Sequence, residues 1–529
     1  MPNRQRIAWL VAVLALFPAL AAAQGGGPNI SGVTATSVAV SSVIVSWTTN
    51  VPADSQVDYG ASASYGSESV RNTIPMTSHA IALLELAPAT LHHYRVKSRG
   101  ANGNLTISDD FTFTTPAAGN GRTYYVSKNS CNDSFAGTVT QPWCTIGRSS
   151  EMLRPGDTVI VGAGAYNESI VPPSGATNAY ITYQAQPGAV LDGTNVNGPA
   201  FDIFNQAYII ISGFEVTHYL HPRPGGNSVN IRGASHDIEL SNLVVHDNWN
   251  GIILQDDAHQ IAIGDSVVYN SRYGLGFENT VHDIFVSQVT SHSNKETYVG
   301  TSSPYGNGDG FSSDHGTAHL FIRDAVAYDN QDAGYDIKAN MFECTNCISR
   351  DNEKYGFRLQ NTGGPYTLIN SLAYGNGWYP LQLQAQGSNT YLYNSTFVNA
   401  PGDSGYAIEA PGTNVTFRNC MFAGYTQKVS NEDLIALDED YDLFFPSGNA
   451  PVGFPTGPHT LQADPMFLDP LENDYHLQPS SPAIDAGLAL PWITIDLDGN
   501  PRPRGAGYDI GAYEFQPAKK QPPNPPRNP

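Results

Sequence analysis

Between residues 180 and 425 the chain alternates apolar and polar positions in short runs that repeat in register. Ser228–Arg232, Gly251–Gln255, Gly274–Glu278, Gly310–Asp314, Gly334–Lys338 and Gly356–Gln360 align as strand segments, and all but the first open with glycine. Their second and fourth positions are mostly apolar (Ile252, Leu254, Phe311, Tyr335, Ile337, Phe357, Leu359), which turns those side chains inward and the third and fifth outward. A glycine ahead of a strand suits a tight turn with unusual backbone angles. Two amide-rich columns keep time with these strands. One reads Asn242, Asp265, Gln288, Asp324, Asn346, Asn370, Asn394, Asn419; the other reads Asn248, Asn270, Asn294, Asn330, Asn352, Asn376, Asn399. Their steps are 22 to 25 residues, with one step of 36 in each column. A fixed period of that length predicts a solenoid whose coils stack about 4.8 Å apart, with side-chain amides hydrogen-bonded along the stack.

The flanks follow other patterns. Residues 28–116 alternate over short runs such as Val43-Ile44-Val45-Ser46-Trp47 and Tyr94-Arg95-Val96-Lys97, separated by turn residues, which predicts an all-β sandwich. The stretch Leu86-Ala87-Pro88-Ala89-Thr90 before Tyr94 resembles one corner of fibronectin type III domains, with His92 and His93 where tyrosine is usual. Tyr124-Tyr125-Val126, Pro142-Trp143-Cys144 and Arg154-Pro155-Gly156-Asp157 resemble the capped entry of right-handed parallel β-helices of the pectate-lyase type. The expected fold is therefore all-β: a right-handed parallel β-helix over 123–425, preceded by a fibronectin type III-like sandwich over 28–116. Segments such as Ser481-Pro482-Ala483-Ile484-Asp485 resemble a closing element, here 426–515, and a proline-rich tail, 516–529, is expected to be disordered.

Composition narrows the setting. Arg4, Arg6, the apolar run 7–20 and Ala21-Ala22-Ala23 form the zones of a secretory signal, so residues 1–23 are expected to be removed and the protein secreted. No later segment is apolar for long enough to span a bilayer, so no membrane partner is expected. A net charge of −22 argues against nucleic acid. A polyanion would need a local basic cluster or a bridging divalent cation. Nothing in the pattern calls for an oligomer, and a monomer is expected. Of five cysteines, Cys131 and Cys144 flank a short loop and suit a disulfide in an oxidising compartment. Cys344 and Cys347 offer half a zinc site with no second pair; Cys347 and Cys420 share one repeat position and read as small buried hydrophobes.

The candidate chemistry lies at the long step. An insertion between Asn294 and Gly310 leaves the solenoid there, and loops grown on one face of a solenoid mark binding faces. Directly after it Asp309, Asp332, Asp314 and Asp336 gather within two coils, with Arg358 one coil beyond Asp336. Carboxylates so close repel unless a cation neutralises them, and hard oxygen donors suit Ca²⁺; an acidic face, or Asp336 paired simply with Arg358, is the plainer reading. Asn307-Gly308-Asp309-Gly310-Phe311, Asn330-Gln331-Asp332-Ala333-Gly334-Tyr335-Asp336 and Tyr355-Gly356-Phe357-Arg358-Leu359 resemble the site of family 9 polysaccharide lyases. That resemblance implies calcium on Asp309, Asp332 and Asp336, with Ala333 where the family has a further aspartate and Asp314 as its substitute. It also implies a base at Arg358, where the family carries lysine; Lys338, facing outward beside Asp336, is the runner-up. Cleavage of a uronic-acid polymer by β-elimination is the expected activity. Lys295, Tyr305, Arg272 and Lys354 are candidates for binding further substrate carboxylates. Two alternatives stand beside it: a non-catalytic carbohydrate-binding protein, and a glycoside hydrolase using the acidic pair Asp256-Asp257.

Overall fold

A computed structural model describes residues 27–517 except 37, 39–41, 70, 84–85, 101–102, 117–120, 221–226, 297–306, 361–363, 385–388, 400–407, 409–413, 426–435 and 447–455. The expected secretory segment 1–23, nearly all of the proline-rich tail, and Tyr305 lie outside the described residues.

From about residue 123 the chain winds as a parallel β-helix. One face is an eight-stranded parallel sheet built from Phe201–Phe204, Asn227–Arg232, Asn250–Leu254, Leu275–Phe277, Phe311–Ser313, Ala333–Ile337, Tyr355–Gln360 and Tyr379–Gln384, in that order. The remaining strands of each coil join a 24-stranded sheet that wraps the other sides. Register follows the alternation: Leu275 lies beside Phe311, Phe311 beside Tyr335, Tyr335 beside Phe357 and Phe357 beside Leu381. These side chains are wholly buried in one continuous core. Phe311, Tyr335 and Phe357 stack face to face with ring centroids 4.8 and 4.7 Å apart, the coil spacing itself. Each such side chain contributes about 1.5–3 kcal/mol by leaving water.

Two conformational devices turn the corners. Every residue of the first amide column sits in the left-handed region, from Asn394 at φ 45° to Asn419 at 58°, where asparagine and aspartate pay the smallest steric penalty among side-chain-bearing residues. The second column is an interior ladder. Asn294 Nδ2 donates to Asn330 Oδ1 (2.8 Å), Asn330 to Asn352 (2.9 Å) and Asn352 to Asn376 (2.8 Å), all four buried. One assignment shifts: Asn270 has φ 49° and donates to Asp247 Oδ1, so it belongs to a neighbouring corner column, while Ser271 holds the ladder position and its N–H donates to Asn294 Oδ1. The reason expected for the strand-opening glycines also changes. Gly251, Gly274, Gly310 and Gly356 are not in the left-handed region; a Cβ on each would meet a carbonyl oxygen of the next coil at 2.2, 2.4, 2.7 and 2.4 Å. Close approach of stacked coils, not backbone angle, requires glycine there.

The N-terminal segment is antiparallel. Ile30–Thr36 and Asn72–Leu83 pair with the first half of Val43–Gly60, whose second half pairs with Ser67–Glu68 and Leu91–Arg99. Trp47, Val57, Tyr94, Val96 and Phe113 form its core, and the Trp47 indole donates to Ser98 Oγ at 2.9 Å. His92 is buried on Phe113 at 5.1 Å, an aromatic contact in the region where the sequence pattern called for tyrosine. At the far end the chain folds back along the corner column: Asn370, Asn394 and Asn419 donate to the carbonyls of Ile495, Asp509 and Leu488. Cys131 and Cys144 are bonded, with Cα atoms 4.9 Å apart. Cys344 and Cys347 are bonded as well, which replaces the reading of them as separate thiols; the left-handed Asn346 between them bends the chain so that both sulfurs point inward. Cys420, at the same repeat position as Cys347, is a free buried thiol.

Candidate active site

The outward face of the eight-stranded sheet carries the chemistry in rows set by register. In one row Ser312, Asp336, Arg358 and Gln382 stand side by side on successive coils. Asp309 and Asp332 lie just before their strands, on the flank where the coil leaves the Asn330–Asn352 ladder, so the buried amides fix the backbone that presents them. The N–H of Ala333 donates to Asp309 Oδ1 at 3.0 Å, which ties adjacent coils together at this point.

Three carboxylates and three cations meet here. Lys338 Nζ lies 2.7 Å from Asp336 Oδ2, and Gln360 Nε2 donates to the other oxygen at 2.7 Å. Lys354 Nζ is 3.0 Å from Asp332 Oδ1, but off the hydrogen-bonding direction, so this is an ion pair without a directed bond. Arg358 Nη1 stands 3.9 Å from both Asp332 Oδ2 and Asp336 Oδ2, its Nε donates to Gln382 Oε1 at 2.9 Å, and its guanidinium lies over Tyr355 at 4.8 Å. The acids sit beneath the cations: the aspartate side chains of these pairs are 5 to 8% exposed, those of Lys338, Lys354 and Arg358 22 to 25%. Burial first, then the charges of Asp336 and Asp332, hold the Asp309 carboxyl well above the ordinary range. Burial raises Asp332 too, against the opposing pull of Lys354. Burial pulls Lys338 down most strongly, but the charge and hydrogen bond of Asp336 together with the charge of Asp309 outweigh it, and the net shift is upward. Lys338 is thereby held protonated.

Of the residues singled out from sequence, the structure brings together Asp309, Asp332, Asp336, Lys338, Lys354 and Arg358. Asp314 stays outside: it is exposed, and the charges acting most strongly on Asp309 are those of Asp336, Asp332 and Lys338. It occupies the fifth strand position, two residues past the row that holds Asp336. Arg272 lies over the ring of Tyr273 at 4.7 Å and 3.4 Å from Glu296, and Tyr273 in turn feels Asp309. Lys295 pairs with Glu353 at 3.2 Å. Asp256 and Asp257 sit at the opposite end of a strand, in a corner where Asp256 has φ 61° and accepts a hydrogen bond from Asn279. Gln382, register partner of Arg358, Gln360, which donates to Asp336, and Tyr355, under the Arg358 guanidinium, complete the site and carry no signal in the sequence pattern.

Three carboxylates on one flank are donors of the kind a divalent cation takes, but as they stand their ligand atoms are not all gathered within 4.8 Å of one another. Ala333 leaves the fourth protein position without a donor, and Lys338 and Lys354 already neutralise two of the carboxylates.

The fold just described is a class with known members. Residues 124–345 match the family model described as the Pel9A-like right handed beta helix region, in agreement with the right-handed parallel β-helix expected from the repeats. The chain superposes on the crystal structure of pectate lyase Pel9A with a TM-score of 0.51 at 18% identity, over 75% of this chain and 97% of that one. It superposes on XylC, solved with xylose, with a TM-score of 0.50 at 11% identity, over 74% and 99%. At such identities the likeness is one of fold. Mannuronan C5-epimerase AlgE5 of Azotobacter vinelandii is 38% identical over 80 residues, 15% of this chain and 8% of that protein. The chain thus spans less than a tenth of the length of the curated relatives it matches.

Proposed function

We propose that this protein is an exported enzyme that cleaves a uronic-acid polysaccharide by β-elimination. The observation that carries the reading is the grouping of Asp309, Asp332, Asp336, Lys338, Lys354 and Arg358 on one outward flank of a strongly acidic chain. The fold's likeness to a pectate lyase and the short match to mannuronan C5-epimerases support a uronate substrate.

In a uronate the C5 proton is weakly acidic because the adjoining carboxylate is already anionic. Calcium, held by Asp309, Asp332 and Asp336, would draw charge from that carboxylate and acidify the C5–H bond. Lys354 and Lys338, ammonium groups at the mouth of the cluster, bind substrate carboxylates as they exchange partners with Asp332 and Asp336. Arg358, fixed by Gln382 and Tyr355 with Nη1 facing Asp332 and Asp336, is the proposed base; Lys338, ion-paired with Asp336, is the runner-up. A guanidinium takes a proton only when it has lost one, so turnover rises toward alkaline pH. The C5 electrons then expel the C4 oxygen, leaving an unsaturated end without water being consumed. The antiparallel N-terminal unit is proposed as a fibronectin type III-like spacer.

The test is incubation of the protein with polygalacturonate and alginate, with calcium or with EDTA, while ultraviolet absorbance of unsaturated ends is followed. Absorbance that needs calcium and disappears in Arg358→Ala, with Arg358→Lys retaining part of it, is the expected result. Reducing ends without absorbance would assign hydrolysis, and a change of C5 configuration without cleavage would assign epimerisation. Binding without either leaves a carbohydrate-binding protein.

A further inference from the structure

A second group of donors lies at another corner of the β-helix, where the strand Asn250–Leu254 turns into His259–Tyr269. Asp257, His259 and His282 each offer a ligand atom, and these atoms all lie within 4.8 Å of one another. Among the described residues this is the one trio of histidine, cysteine or acidic side chains so gathered. The coil repeat builds it: His259 and His282 are register partners on adjacent coils, their rings stacked with centroids 4.7 Å apart. Asp257 is held by a clamped turn in which Thr280 Oγ1 donates to Asp256 O at 2.6 Å and Asn279 Nδ2 to Asp256 Oδ1 at 3.2 Å.

The hydrogen bonds behind the rings set their tautomers. His259 Nδ1 lies 2.7 Å from the carbonyl oxygen of Asp257, which only accepts, so Nδ1 carries the proton and Nε2 a lone pair. His282 Nδ1 lies 2.9 Å from Asp283 Oδ2. Asp283 also meets His319 Nδ1 at 2.8 Å, so its two carboxylate oxygens each face an imidazole N–H and accept. His282 Nε2 then faces Asp257 Oδ1 at 3.7 Å, lone pair toward carboxylate. That opposition calls for a cation or a proton between them. Ring nitrogens oriented from behind by a carbonyl and a carboxylate are the arrangement that prepares histidine for a metal.

We infer that Asp257, His259 and His282 form a binding site for a borderline-soft divalent transition ion such as Zn²⁺, with solvent completing the shell. Two imidazoles and a carboxylate suit zinc and disfavour calcium, so this site is chemically distinct from the aspartate cluster. Zinc–nitrogen and zinc–oxygen bonds of about 2.0–2.2 Å need the ligand atoms to close by roughly an ångström, which rotation of these partly exposed side chains provides. The ion ties two neighbouring coils at the corner where the strands of the site sheet end.

The experiment is calorimetric titration of untagged, EDTA-stripped full-length protein with Zn²⁺, beside spectroscopy of the Co²⁺ form. One ion per chain with tetrahedral Co²⁺ bands is expected, with affinity falling at least tenfold in His259→Ala and in His282→Ala and less in Asp257→Asn. Ca²⁺ should neither compete nor bind there. Thermal midpoints without metal report whether each variant folds, so that a lost site is told from a lost fold. Absence of Zn²⁺ binding, or binding unchanged in the folded His259→Ala/His282→Ala variant, overturns the assignment.

Discussion

Two regions of this molecule gather acids around an arginine, and they satisfy those acids in opposite ways. In the returning C-terminal segment Arg502 and Glu514 form an ion pair at 2.9 Å with both side chains at 0% exposure. Asp496, Asp509 and Glu514 accept mainly backbone N–H groups: Asn500 and Glu514 donate to Asp496, Asp485 and Phe515 to Asp509, Arg504 and Asp509 to Glu514. On the outward flank of the solenoid Ala333 gives Asp309 a backbone donor, while Asp332 and Asp336 rely on Lys354, Lys338, Arg358 and Gln360. Backbone donors cannot leave; lysine side chains with a fifth of their surface in water can. A carboxylate neutralised by a movable cation is available to a ligand, and one neutralised by the backbone is part of the fold. That contrast is a physical argument for the proposal that the flank is the working site, and it is independent of any likeness to other proteins.

The contrast breaks first at Arg502. Its guanidinium also donates to the carbonyls of Asp509 and Gly511, and only Nε lacks a partner. Arg502→Met leaves Glu514 ionised, buried and deprived of its cation, and should cost about 3–5 kcal/mol. Denaturant unfolding checks this. A loss below about 1 kcal/mol would mean that the backbone donors alone suffice, and that the two clusters differ less than their geometry says.

Glu343 shows what a carboxyl does when the Thr345 hydroxyl, donating to Oε1 at 3.4 Å, and the charge of Arg323 only partly offset its burial. It follows Phe285 and Phe321 in one outward row, Oε2 is buried without a hydrogen bond, and burial pushes its pKa up to about 7. With a folded value above the unfolded one, its contribution to stability is complete below about pH 4.5 and is lost as pH rises to about 7. Glu343→Gln should therefore unfold like the parent at pH 4.5 and be more stable at pH 8, by up to about 3 kcal/mol. Thermal denaturation at both pH values decides it; an equal effect at the two would show that ionisation is not what Glu343 contributes.

How much of this was legible in the sequence depends on how far each feature reaches. Strand alternation and the coil step were enough to place Asp336 beside Arg358, because a period of two and a fixed repeat together define neighbours on the sheet. Features separated by one residue are not resolved by spacing: the corner and ladder columns both accept asparagine, so the repeat puts Asn270 in the ladder where the structure has Ser271. Charge groups Asp314 with the other aspartates, but it is exposed, while Lys338 and Gln360 at the same strand position on the following coils turn to Asp336. The strand-opening glycines were read as turn residues because crowding between coils leaves no trace within a single strand. Gln360, Gln382 and Tyr355 are silent in the sequence because neutral side chains carry no signal until the register is drawn across all coils.

The uncharged ladder lies between the extremes. Asn352 Nδ2 donates to Asn376 Oδ1 and its Oδ1 accepts from Asn330, so Asn352→Ala strands groups on both neighbouring coils. A loss of about 1–3 kcal/mol is expected from buried donors and acceptors left unpaired. Hydrogen exchange should show it confined to the coils around residues 330–376. A protein-wide loosening would instead make the ladder one cooperative element.

Asp309 gives the smallest effect and the sharpest discrimination. It is 2% exposed, and burial with the charges of Asp336 and Asp332 holds its pKa well up, so the ionised form costs stability wherever it is populated. Asp309→Asn keeps an oxygen to accept the Ala333 N–H and offers an amide to the neighbouring carboxylates. Because the folded value is the raised one, the benefit of removing the charge grows with pH. Stability at pH 8 should be no lower than the parent's, while calcium-dependent turnover falls steeply. In the cap the same change at Asp509 removes an acceptor from one of two backbone N–H groups and should destabilise. If Asp309→Asn instead lost more than about 2 kcal/mol at pH 8, Asp309 would be held as firmly as the cap acids, and the flank would be a structural ion network.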